Sequence, residues 1–208
     1  YNHMALVTKV ISEIPPNKIA YERFTPMGPL ALLPNGLKEF SLVWTGEDRD
    51  IQELAKTPKN LFLEKLYEHF GDRVGKFLDS DEFITFPLKK ITLEDYPKTR
   101  MVIIGNSAQT MHPVAGQGFN TGIRDAFELS KLIDESEASK LGSKGFINQY
   151  YALRKSETKK TLFFTDSLVN IFSNDLAGLS LTRGIGLSLL DNFKPIKNFL
   201  VSKMSFGK

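Results

Sequence analysis

The stretch that most constrains this chain is residues 101–126, MVIIGNSAQTMHPVAGQGFNTGIRDA. Met101 to Ile104 is a short, wholly apolar run, the pattern of a strand buried on both faces. A long turn follows, carrying Gly105, Pro113, Gly116 and Gly118, before helical periodicity sets in. That helix is expected over about 118–133, with Phe119, Ile123, Phe127, Ser130 and Ile133 along one face. A helix start offers unpaired N–H groups and the positive end of a dipole. Glycines beside it let a ligand reach the main chain. "AGQGFN" therefore reads as a cradle for an anion or a carbonyl oxygen. The spacing Gly116-x-Gly118-x-x-x-Gly122 is one residue too long for the dinucleotide fingerprint, and no Gly-Lys-Ser/Thr follows to make a phosphate loop. On these residues alone, a ligand-binding turn and an ordinary structural turn stay equally open.

The flanking segments set the architecture. Residues 1–95 read as an antiparallel sheet with one or two helices. Strand signals fall at Met4–Ile11, Lys18–Thr25, Pro29–Leu33, "EFSLVW" and "EFITFPL" (82–88), and Phe40, Leu42 and Trp44 share one strand face. "EDRDIQEL" and residues 58–70 carry helical periodicity, the second closed by Gly71. Residues 96–134 form the strand–turn–helix, and 135–208 a helical region, amphipathic over 145–172 and glycine-punctuated, apolar and basic over 176–208. The fold class expected is α+β / α/β.

Composition removes several function classes. With no cysteine among 208 residues, disulfide scaffolds, thiol nucleophiles and cysteine zinc sites are excluded. His3, His69 and His112 are far apart and no carboxylate stands at ligand spacing, so no metal site is expected. A net charge of +3 is too mild to call for nucleic acid.

The 101–126 stretch resembles the second flavin-binding motif of the class A FAD-dependent aromatic hydroxylases. "YERFTPMGPLALLP" upstream and "TDSLVNIFSN" downstream agree in order with the ubiquinone-biosynthesis branch, most like its 2-polyprenyl-6-methoxyphenol hydroxylases. The resemblance runs along the whole chain but lacks the family's N-terminal nucleotide-binding (Rossmann) unit. The opening "YNHMALVTKVI" already reads as strand, which fits the C-terminal part of a longer protein.

The resemblance implies a set of roles. Gly105 and Asn106 would meet the ribityl chain of FAD, with Asn106 standing where the family usually has an acid. Asn106, Gln109 and His112 together favour the methoxyphenol branch, and His112 would stand with the FAD-binding residues. Pro113 would sit beside the flavin ring, the amides of Gly118 and Phe119 would face its pyrimidine edge, and Asn120 would contact the same edge. Gly116 and Gly122 would be small to let ring and helix approach. Phe24, Met27, Gly28, Pro29, Leu30 and Trp44 are candidates to line the substrate pocket, with no residue nominated as a catalytic acid or base. The implied activity is hydroxylation of a polyprenylated phenol with O2 and NAD(P)H through a flavin C4a-hydroperoxide. The chain alone is expected to bind FAD weakly or not at all and to be inactive. The implied location is cytoplasmic, with the apolar, lysine-bearing 161–208 segment suited to peripheral contact with the inner membrane or with other ubiquinone-biosynthesis proteins. Two other readings stay open: a flavin hydroxylase of a different aromatic substrate, and a non-catalytic assembly subunit, the latter left open by Asn106.

Overall fold

The computed structural model describes residues 2–93, 100–113, 116–172 and 192–206. The chain forms two compact units, Tyr1–Leu88 with Val169–Ala177, and Lys89–Leu168 with Gly178–Lys208.

The first unit is a six-stranded antiparallel sheet under two helices. Its strands are β1 (His3–Ser12), β2 (Tyr21–Thr25), β3 (Gly28–Asn35), β4 (Glu39–Glu47), β5 (Phe77–Ser80) and β6 (Ile84–Leu88), in the order β2-β3-β4-β1-β5, with β6 also on β1. β1 is the spine. One edge pairs with β4, setting Leu6 opposite Trp44 and Val10 opposite Phe40. The other edge is shared by β5 at Val10–Ser12 and β6 at His3–Val7. Period-two alternation turns Phe40, Leu42 and Trp44 to one face, where all three are fully buried, as their spacing predicts.

That face is covered by α1 (Asp48–Ala55) and α2 (Lys59–Phe70). Helix α1 contributes Ile51 and Leu54, and α2 contributes Phe62, Leu66 and Phe70, one residue per turn along a single stripe. Tyr21 and Phe77 pack edge-on against Phe70 at 5.8 and 5.9 Å. Helix α2 ends at Gly71, whose φ of +85° suits glycine. The β2–β3 hairpin turns on Gly28, φ +135°, where a Cβ would stand 2.1 Å from the Thr45 carbonyl oxygen, so only glycine fits. Strand β5 is too short, at four residues, to have shown a period in the sequence.

The second unit contains a two-residue ladder, β7 (Ile91–Thr92) with β8 (Gln109–Thr110), then α3 (Gln117–Asp134), α4 (Lys144–Phe172) and α5 (Lys194–Phe206). Its core joins Leu132 of α3 to Phe146, Ile147, Tyr150 and Tyr151 of α4. Two expectations need correction here. The run Met101–Ile104 is not a buried strand: it joins no ladder, and Met101 and Ile104 are 55% and 38% exposed. A strand exists by pairing, and none of the described strands lies alongside this run. The apolar face of α3 is likewise turned outward, with Phe119 at 77%, Ile123 at 54% and Phe127 at 64% exposure, while Gln117, Thr121 and Asp125 are buried. The expected boundary at 95–96 and residues 176–191 of the glycine-punctuated tail lie outside the described residues.

Candidate functional site

The site grows from the end of the apolar run. Gly105 has φ +62° and opens a single 3-10 turn, Gly105–Ser107. A left-handed residue is cheap only for glycine. The turn swings the chain back under α3, so that a Cβ added at Gly122 would lie 3.4 Å from Gly105 Cα. A methyl group at 122 would just fit, whereas a larger side chain would wedge the turn away from the helix. The same turn carries Asn106 to the first turn of α3, its Oδ1 4.0 Å from where a Cβ of Gly118 would stand.

Helix α3 starts at Gly116, φ +59°, where a Cβ would meet nothing within 4 Å. Gly116 supplies no side-chain cap to this end, and no acid stands in the first turn. Its positive dipole end is therefore neither masked nor neutralised by the helix's own side chains. Asn106, Pro113 and Gly116 are exposed around it, and Gly118 and Asn120 are half-buried. The structure thus assembles Gly105, Asn106, Gly116, Gly118, Phe119 and Asn120 on one open turn-and-helix corner. His112 is fully buried and does not present itself on the open surface. A bare, uncapped helix start beside an amide side chain is chemically suited to the electron-rich edge of a flavin.

The sheet candidates divide. Leu30 and Trp44 stand opposite each other in the β3–β4 ladder and are fully buried in the helix-covered core, so their first role is packing. Gly28 and Pro29 are buried at the hairpin, where Thr25 Oγ1 donates to the Gly28 carbonyl (2.8 Å) and Thr45 Oγ1 to that of Pro29 (3.1 Å). Phe24 and Met27 are half-buried and retain accessible surface. A polar atom must satisfy hydrogen bonds wherever it is buried, which these two threonines do for the hairpin carbonyls.

Behind this corner lies a buried polar hub that sequence reading did not single out. Asp125 Oδ2 accepts from the Gly105 N–H at 2.9 Å and from Gln109 Nε2 at 2.6 Å, and Oδ1 accepts from Arg154 Nε at 2.7 Å. The Asp125 and Arg154 side chains are only 2% and 6% exposed. Burial works against the Arg154 charge, but hydrogen bonds to Asp125 and Glu157 outweigh it and hold its pKa above the ordinary value. Tyr150, alongside, has its hydroxyl pKa raised, by burial first and by the Asp125 charge second, and stays protonated. Gln117, Thr121 and Asp125 recur every fourth residue, the signal that could have revealed the hub; a polar stripe on a helix ordinarily reads as the solvent face.

Among the described residues no helix is long and apolar enough to cross a membrane. Comparison with known proteins agrees with the geometry. A family described as FAD binding domain matches residues 12–165. The chain is 32% identical over 203 residues to ubiquinone hydroxylase UbiL of Rhodospirillum rubrum, covering 97% of this chain and 47% of that protein. It is 26% identical over 238 residues to the human mitochondrial ubiquinone biosynthesis monooxygenase COQ6, covering 97% and 51%. The chain thus spans about half the length of these relatives. Among solved structures, PqsL of Pseudomonas aeruginosa, a probable FAD-dependent monooxygenase, superposes with a TM-score of 0.68 at 19% identity, over 84% of this chain and 50% of that one. A variant of Klebsiella pneumoniae HpxO complexed with FAD superposes with a TM-score of 0.64 at 15% identity, over 98% and 54%. These two likenesses speak for the fold. With the family match spanning most of its length, this chain belongs to the FAD binding domain family of aromatic-hydroxylase fold.

Proposed function

We propose that this chain forms the flavin-ring side and the substrate sheet of an FAD-dependent monooxygenase that hydroxylates the aromatic ring of a polyprenylated phenol in ubiquinone biosynthesis. The observation that carries the reading is the open, uncapped start of α3 with Asn106 beside it. The named relatives supply the substrate class. When bound, FAD supplies the redox chemistry, accepting reducing equivalents from NAD(P)H and activating O2. The chain's own residues bind and orient it. Gly105 and Asn106 take the ribityl chain, Pro113 flanks the ring, and the Gly118 and Phe119 amides with Asn120 face its pyrimidine edge. The dipole of α3 favours negative charge developing there. His112 counts with the cofactor-binding residues, and Gly116 leaves the approach clear. Phe24 and Met27 offer apolar surface to the substrate, while Gly28 and Pro29 shape the hairpin that presents them and Leu30 and Trp44 hold it from the core.

The chain by itself, half the length of its relatives, is proposed to bind FAD weakly and to show no turnover. Helix α5 is proposed for peripheral contact with an anionic bilayer, since Ile196 and Val201 are about half exposed there and Lys194 and Lys197 share the helix. Liposome co-sedimentation with and without residues 176–208 tests that contact; unchanged partitioning would refute it. The central reading is tested by the absorbance of the natural full-length protein. It should purify with, or take up, FAD, and oxidise NAD(P)H in the presence of a prenylated phenol. A colourless protein under excess FAD would favour an assembly role and overturn the enzyme reading.

A further inference from the structure

The carboxylate of Asp125 is engaged in holding the chain around it. Both oxygens are occupied, by the Gly105 N–H and Gln109 on one side and Arg154 on the other, and the side chain is sealed from water. The hub also reaches the run before the turn, because the Ile103 N–H donates to Tyr151 Oη at 2.9 Å. Amides two apart in an extended chain point to the same edge. On that edge, side chains accept the 103 and 105 amides in place of a neighbouring strand. Asp125 lies on α3, while Tyr151 and Arg154 lie on α4. Both helices therefore grip the backbone immediately before Asn106.

We propose that Asp125, held by Arg154, is a positioning residue for FAD: through the Gly105 amide it sets where the Gly105–Asn106 turn stands relative to the start of α3. The inference rests on the flavin reading of that corner. Desolvating an ion pair this buried is costly, so its presence is by itself weak evidence for a stabilising role. Its geometry instead makes the turn dependent on two helices at once. If the carboxylate moves, Asn106 and the bare N-terminus of α3 no longer address the same ligand.

The test uses the full-length protein and three variants. Asp125→Glu keeps the charge and the pairing with Arg154 but lengthens the arm by one methylene, about 1.5 Å. A cavity of about 360 Å3 bordered by Ala108, Gln109, Asp125, Tyr150 and Arg154 gives it room, so the variant tests position more than packing. Asp125→Asn keeps the shape and removes the charge. Phe62→Ala, in the core of the sheet unit, lowers stability without touching the turn. FAD affinity, followed by quenching of flavin fluorescence, should weaken at least tenfold in both Asp125 variants. It should stay within twofold in Phe62→Ala, even where that variant melts lower than Asp125→Glu. Exchange of the Gly105 amide should quicken at least tenfold in Asp125→Asn relative to the Leu42 amide in the sheet. Unchanged FAD affinity in the Asp125 variants would overturn the proposal, and so would unchanged Gly105 exchange. If the unaltered protein binds no FAD, the flavin reading itself fails, while the exchange experiment still decides whether Asp125 braces the turn.

Discussion

Gly122 is the residue where a small change in side-chain size should move stability and flavin binding together. Glycine inside a helix costs about 1 kcal/mol relative to alanine. A Cβ at 122 would stand 3.4 Å from Gly105 Cα, the near limit of ordinary contact. Gly122→Ala therefore fits, and its helix gain roughly offsets the tighter packing, so the net change expected is within about 1 kcal/mol. Gly122→Val differs, because its γ carbons reach about 1.5 Å further and a helix holds valine near one rotamer. They would overlap Gly105, whose amide is tethered to Asp125 at 2.9 Å. Overpacking costs about 1–3 kcal/mol, and losing a hydrogen bond to a charged group about 1.5–3 kcal/mol more. A penalty of about 2.5–6 kcal/mol is then expected, a large share of a domain's 5–15 kcal/mol. Urea unfolding followed by circular dichroism measures the stability change in the chain. Flavin fluorescence in the full-length protein measures FAD binding, which should be retained in Gly122→Ala and lost in Gly122→Val. If valine behaves like alanine in both assays, the turn and the helix are not held in contact, and the account of the corner is wrong.

Three further outcomes are expected. Phe62, fully buried against Phe83 at 4.5 Å, should cost about 3–5 kcal/mol as Phe62→Ala; the emission of Trp44, the only tryptophan, would report the earlier unfolding of the sheet unit. Replacing Phe119 and Phe127, at 77% and 64% exposure, by serine should leave the melting temperature of this chain nearly unchanged and reduce its self-association in light scattering. A large drop in melting temperature would mean that these rings are buried. The Asp79 carboxyl titrates below its usual 3.8, because Lys59 donates to it and the Ser80 amide adds a second hydrogen bond. A depressed pKa gives stability that is present above 3.8 and lost as the pH falls through the folded value. Asp79→Asn should therefore lower the melting temperature slightly at pH 7 and make no difference in strong acid. A difference that grows in acid would contradict the assignment.

Much of the first unit was legible from local rules. Period-two alternation placed Phe40, Leu42 and Trp44 inward. The 3.6-residue period placed Phe62, Leu66 and Phe70 on one stripe, and Gly71 closed the helix. These signals work because the sheet and its two helices bury their apolar faces against each other, so the pattern and the partner lie in the same segment. The bare backbone of the turn into α3 was legible too, with Gly105 and Gly116 both at positive φ, although the glycines alone left a ligand turn and a structural turn equally open.

Other features depended on which partners the fold brings together. Met101–Ile104 has the composition of a buried strand, but no described strand lies beside it, and apolar composition without a ladder does not make a strand. Phe119, Ile123 and Phe127 carry the period of a core face, yet α3 turns its polar stripe inward, because Asp125 there meets Gly105, Gln109 and Arg154. A carboxylate can be buried only where a cation and donors converge on it. Arg154 comes from 29 residues further along the chain. The sequence by itself determined where the helices and most of the strands form and where the backbone is bare enough for a ligand. Only the tertiary structure decided which face of α3 is inside, because that depends on long-range charge pairing that no local period encodes.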